Sequence, residues 1–142
     1  MKIDLAAVQM ISKPLKVKEN LHKASRLIEK AVEKGAKIVV LPELFNTGYF
    51  FNKALYDVAE EIGGPTTRWM ENICAEKGIY LAGAIYERDG DEFYDTMLTV
   101  GPNELLGTYR KRNPATTENV FFKPGTGSPA VSYTHLTLPT KR

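Results

Sequence analysis

The chain has 142 residues, 43% hydrophobic and 25% charged, which suffices for one domain burying roughly 70% of its unfolded surface and not for two. A formal net charge of +2 spread along the chain gives no nucleic-acid footprint, and no apolar run approaches the ~20 residues of a membrane span. A single cysteine, Cys74, excludes an internal disulfide and a thiolate cluster for zinc.

The opening Met1-Lys2-Ile3-Asp4 places an acid where a secretory leader would begin its apolar region, so a cytoplasmic location is expected. Ile3 to Met10 reads as a first strand. From Val17 to Lys34, apolar residues at Val17, Leu21, Ala24, Leu27, Ile28, Ala31 and Val32 keep the 3.6-residue spacing of a helix with one buried face, and Gly35 is placed to end it. His22 falls on the helix surface. Ile38-Val39-Val40-Leu41 is an unbroken aliphatic run, suited to a strand buried on both faces of a parallel sheet. Strand, helix and strand in this order form a right-handed crossover.

Pro42 ends the second strand because it has no N–H for the ladder. Glu43 therefore stands at the carboxyl end of a strand, the rim where ligands collect in open α/β sheets, and partial desolvation there would raise its pKa toward that of a general base. The bland alternative, a hydrated carboxylate leaving the sheet, is equally open from position alone. An irregular loop with Phe45, Tyr49, Phe50 and Phe51 around Gly48 follows; such aromatics line a pocket or pack into the core.

A short helix is expected around Ala54 to Glu61, broken by Gly63-Gly64-Pro65. A second helix from Thr66 to Lys77 buries Trp69, Met70, Ile73 and Cys74 and stops at Gly78. The pattern then changes to period two. Ile79 to Glu87, a turn at Asp89-Gly90, Phe93 to Val100, a turn at Gly101-Pro102-Asn103 and Leu105 to Arg110 read as an antiparallel meander joined to the parallel beginning. The fold class is α/β with a mixed sheet. Lys111 falls just past the last strand; Arg110 and Arg112 read as a solvated edge.

In combination these pieces resemble the nitrilase superfamily of carbon–nitrogen hydrolases. The matching stretches are the first strand ending in Val8-Gln9, Gly35-Ala36-Lys37-Ile38-Val39-Val40-Leu41-Pro42-Glu43, Tyr109-Arg110-Lys111, Glu118 and Phe122-Lys123-Pro124-Gly125. The resemblance covers roughly residues 1 to 130 and implies the amino-terminal half of an αββα sandwich with a Glu, Lys, Cys triad. By resemblance Glu43 is the general base, Lys111 stabilises the oxyanion and Glu118 is an additional acid positioning lysine and substrate; Phe45 and Tyr49 are the candidate substrate-binding residues. The resemblance implies a small amide, carbamoyl or nitrile substrate, no metal or organic cofactor and a homo-oligomeric full-length protein; the scattered charge and the lack of a long apolar run lead to the expectation of no nucleic-acid or membrane partner.

The departure from the family lies at the nucleophile, expected about 20 residues past the Phe-x-Pro-Gly segment, beyond the residues given. Cys74 reads as an inert thiol on the inner face of a helix. Residues 1–131 are expected to form a partial hydrolase domain. Residues 132–142, with Ser132 and His135, look like a translated sequencing adaptor. Two competing readings are a non-catalytic binding module on the same sandwich and an acyltransferase using an acceptor other than water.

Overall fold

The switch from helical to two-residue periodicity near residue 78 divides the structure as it divides the sequence. The protein is described here by a computed structural model over residues 2–127; the expected tail lies outside the described residues. In chain order the elements are β1 (Leu5–Ala7), α1 (Val17–Glu33), β2 (Ile38–Val40), a short 3-10 helix (Lys53–Val58), α2 (Pro65–Lys77), β3 (Tyr80–Asp89), β4 (Glu92–Val100), β5 (Leu105–Arg110) and a 3-10 turn (Glu118–Val120). The five strands lie in sequence order in one sheet, parallel between β1, β2 and β3 and antiparallel between β3, β4 and β5. This is the expected mixed α/β sheet.

Local chemistry sets most of the boundaries. Gly35, at φ +92°, closes α1 by sending its own N–H to Val32 O while Ala36 N–H reaches Ala31 O, the paired bonds of a left-handed helix stop. Pro65 opens α2, whose Thr66 N–H is capped by the Glu60 carboxylate, favourably placed against the positive end of the helix.

Three boundaries differ from the sequence expectation. β1 covers three residues, not eight, because among the described residues it is an edge strand paired with β2 alone, which is confined between Gly35 and Pro42. The helix expected to run to Glu61 stops at Val58, since Glu60 is drawn into a parallel bridge with Glu87 at the sheet edge. The second strand is not buried evenly on both faces: Val39 is fully buried, whereas Ile38 and Val40 are half-buried.

Alternation along the strands explains that asymmetry. Val39, Leu81, Ile85, Leu98 and Val100 point to the helix side, where they pack with Ala24 and Ile28 of α1 and Met70, Ile73 and Cys74 of α2. Each such side chain contributes on the order of 1.5–3 kcal/mol through burial. The opposite face carries Tyr86 and Phe93, which join Leu44, Leu55 and Phe122 in a second cluster. Elsewhere that face presents the half-buried Ile38 and Val40 of β2, Tyr80 of β3 and Met97 of β4.

One buried amide ties α1 to the loop that follows Glu43. Asn20, 1% exposed, accepts from Lys13 N–H and donates to Lys13 O and Asn46 O, each at 2.8 Å. Asn20→Ala would leave these backbone groups unpaired and is expected to cost about 2–3 kcal/mol. A clearly lowered melting temperature in thermal unfolding checks it; an unchanged one would show that the loop does not depend on this bracket.

Candidate active site

The site assembles at the strand ends of the face opposite the helices. Glu43 arrives there because Pro42 ends β2 and Leu44 takes a left-handed conformation, φ +49°, unusual for a leucine. That turn sends Leu44, fully buried, into the second cluster and leaves the Glu43 carboxylate at the rim. Lys111 is fixed by its backbone: its N–H donates to Asp95 O at 2.8 Å, and its carbonyl accepts from Gly125 N–H at 2.9 Å. Gly125 is needed for this approach, since any Cβ there would collide with the backbone of Arg110. The glycine of the Phe122-Lys123-Pro124-Gly125 stretch thus serves to lay one segment against the end of β5, just before Lys111.

Glu118 sits in the last 3-10 turn, 1% exposed. One of its oxygens accepts from Ala115 N–H; the other accepts from Tyr49 OH at 2.7 Å and from Lys111 Nζ at 3.0 Å. Lys111 Nζ also donates to Glu43 Oε1 at 2.7 Å. Three residues singled out in the sequence, Glu43, Lys111 and Glu118, are therefore in direct contact, with Tyr49 at their edge. Phe45 is not: it is fully buried on the helix side, its ring 5.8 Å from that of Trp69 and pressed against Gly83. Named with Tyr49 as a candidate substrate-binding residue, it lies in the helix-side apolar cluster.

A fourth group, Asp95 of β4, was not read as a site residue. It is 3% exposed, with Oδ2 3.6 Å from Lys111 Nζ. The signal was the alternation itself, which puts an acid between Phe93 and Met97 on one face of a strand. Glu43, Ala84, Asp95, Met97, Tyr109 and Lys111 line a pocket of about 250 Å³. Carboxylate oxygens of Glu43, Asp95 and Glu118 lie within 4.8 Å of one another, a spacing a metal ion could use, but the Lys111 ammonium already stands among them.

The electrostatics follow from this crowding. The sequence led to an expectation of a raised pKa for Glu43; instead it lies below the ordinary carboxylate range, because the neighbouring Asp95 carboxyl and the contact with Lys111 outweigh desolvation. Burial raises Glu118, but Tyr49, the Ala115 N–H and Lys111 together bring it below its usual value. Burial likewise opposes the charge on Lys111, and its bonds to Glu43 and Glu118 more than restore it, so the amine stays protonated. Tyr49 is pushed up to about 12 by its bond to Glu118.

Cys74 lies elsewhere, fully buried in the helix-side core with Sγ 3.6 Å from Val100 O, and desolvation pushes its thiol up to about 12. Arg110 is also not the solvated edge residue expected: it pairs through Nε and Nη2 with the buried Glu87, reaches Asp89 and lies 3.8 Å over the Tyr94 ring.

Residues 4–139 match the carbon-nitrogen hydrolase family. The chain belongs to that family. Among similar proteins, a nitrilase of Pyrococcus abyssi is 38% identical over 126 residues, covering 87% of this chain and 48% of its own. An omega-amidase of Xenopus laevis is 43% identical over 112 residues, covering 78% of this chain and 40% of its own. Among solved structures, Nit3 of Saccharomyces cerevisiae, a nitrilase-superfamily member, superposes with a TM-score of 0.79 at 29% identity over 91% of this chain and 51% of that one. A mutant of the Nesterenkonia AN1 amidase gives 0.80 at 26% identity over 89% and 50%. The chain thus spans about half the length of the relatives it matches.

Lys111→Met removes the cation shared by these carboxyl groups, two of them almost fully buried, and is expected to cost about 3 kcal/mol at neutral pH. Because Glu43 and Glu118 are lowered in the folded state, their contribution is present above the ordinary carboxylate range and lost as pH falls through their folded values. The gap between variant and parent should therefore narrow in acid. Denaturant unfolding at neutral and acidic pH checks this, and a gap that does not change with pH would contradict it.

Proposed function

We propose that the intact protein hydrolyses a carbon–nitrogen bond in a small linear amide. Glu43 acts as general base, Lys111 stabilises the tetrahedral oxyanion, and Glu118 positions Lys111. The nucleophile in this reading is a cysteine outside residues 1–142, which forms a thioester acyl-enzyme that water then cleaves.

The observation that carries the reading is the ammonium of Lys111. It has three N–H donors; two are committed to Glu43 and Glu118, and the third makes no hydrogen bond among the described residues. That third donor, on a group lining the pocket, suits an oxygen that gains charge during the reaction. Glu43 is already ionised at neutral pH and can take a thiol proton, returning it to the leaving amine. Cys74 is a poor nucleophile because burial keeps its proton in place.

Tyr49, half-exposed and bonded to Glu118, is the aromatic that this reading assigns to substrate contact. N-carbamoyl compounds and nitriles are the neighbouring substrate classes; the omega-amidase relatives favour the amide. A homo-oligomeric, cytoplasmic protein, and a domain boundary near residue 131, belong to the same reading.

Glu43→Gln in the complete protein is expected to suppress amide turnover and acylation by a factor of about 10²–10⁴ while leaving the melting temperature near that of the parent. Undiminished turnover would remove the assignment. Amide consumption that yields a conjugate with an added amine, and no free acid, would indicate acyl transfer in place of hydrolysis. A parent protein that binds amides without turning them over would indicate a non-catalytic module.

A further inference from the structure

Asp95 is the polar group that the proposed reaction leaves without a task. Its carboxyl is 3% exposed, and Oδ2 makes no hydrogen bond among the described residues; Lys111 Nζ stands at 3.6 Å, beyond hydrogen-bond length. A buried ionised carboxylate in that position would be costly, since one ammonium already faces Glu43 and Glu118. With Asp95 neutral, the cluster holds one positive and two negative charges; with Asp95 ionised, a third negative charge is added inside the same few ångströms. A metal ion would relieve this, but Lys111 Nζ, between 2.7 and 3.6 Å from all three carboxyl groups, occupies the place it would take.

The arrangement relieves itself if Asp95 keeps its proton. A protonated carboxyl is a donor, and the Glu43 carboxylate, with an oxygen within 4.8 Å of an Asp95 oxygen, is the neighbouring acceptor. The other groups that face Asp95 offer no competing arrangement. Glu118 is held by Tyr49, Ala115 N–H and Lys111, and Tyr86, paired with Asp95 across β3 and β4, commits its hydroxyl to Phe121 O at 3.0 Å.

We propose that Asp95 is a positioning residue of this site, a neutral carboxylic acid that donates a hydrogen bond to Glu43 and so holds the Glu43 carboxylate in its contact with Lys111. The proposal rests on the reading of Glu43 as the base, and Asp95 itself touches no reacting atom in it. Burial, followed by the neighbouring Glu43 charge, pushes Asp95 up to about 8, in keeping with a proton retained at neutral pH. As pH rises past that value the donor is lost, Glu43 gains a like-charged neighbour, and the pairing with Lys111 is disturbed.

The test is the pH titration of the Asp95 side-chain carboxyl carbon by NMR in the folded protein labelled at aspartate, with Asp95→Asn to assign the resonance. The expected result is a midpoint near pH 8, falling by at least one pH unit in Glu43→Gln. A midpoint below pH 5 in the parent would overturn the proposal. Turnover of the complete protein gives a second readout. Asp95→Leu, which lacks a donor, should lower kcat at least tenfold with little change in KM. Asp95→Asn, which retains an N–H donor, should recover most of that loss and remove the decline in activity above pH 8. Equal losses in the two variants, or an unchanged alkaline decline in Asp95→Asn, would also overturn it. The readouts separate the two claims: full turnover in Glu43→Gln with Asp95 still titrating near pH 8 would sink the catalytic reading and leave the neutral acid standing.

Discussion

The ammonium of Lys111 draws together segments that are distant in sequence. Glu43 follows β2, Asp95 lies within β4, Lys111 follows β5 and Glu118 sits in a separate turn, and the contacts span up to 68 positions of chain. Ion pairs at a surface are worth little, but here Glu118 is almost fully buried, so its carboxylate without the cation would be a large penalty. The backbone around Lys111 is correspondingly overdetermined. It is bonded to β4 on one side and to Gly125 on the other, and the glycine has no room for a side chain.

This constraint also accounts for the division of the sheet. The helix side is a continuous apolar core from α1 and α2 through Val39, Leu81 and Leu98, and it contains the thiol of Cys74. Glu43, Asp95 and Lys111 are collected on the other face, where Met97, Ala84 and Tyr109 supply an apolar wall to the pocket. A small cavity with an apolar wall and a fixed ammonium suits chemistry in which a neutral amide becomes a charged intermediate, because a preorganised donor needs little rearrangement as charge develops.

Much of this was legible in the sequence, for identifiable reasons. α1 was readable because its apolar spacing is sustained over nearly five turns and closed by a glycine, and β5 because Gly101-Pro102-Asn103 fixes its start. Glu43, Lys111 and Glu118 were legible through resemblance; Pro42 explains locally why a strand ends beside the first. What escaped were properties of contact. Phe45 and Tyr49 share one aromatic loop, yet the turn through Gly48, at φ +82°, separates a core ring from a rim hydroxyl, and composition does not encode that choice. Arg110 looked, with Arg112, like a solvated edge residue because its partner Glu87 lies 23 positions away. Asp95 was passed over inside a strand whose regular alternation drew attention to its apolar members. The low pKa of Glu43 depends on Asp95 as much as on Lys111, so missing one reversed the expectation for the other.

In the proposed reaction this lysine-centred cluster serves covalent chemistry at a sulfur other than that of Cys74. The most direct measurement is mass spectrometry of the complete protein, acid-quenched during turnover of a slowly hydrolysed amide and then digested. The predicted result is an acyl group carried as a thioester on a cysteine beyond residue 142, with the Cys74 peptide unmodified. Acylation of Cys74, or amide turnover with no covalent species at any cysteine, would contradict it.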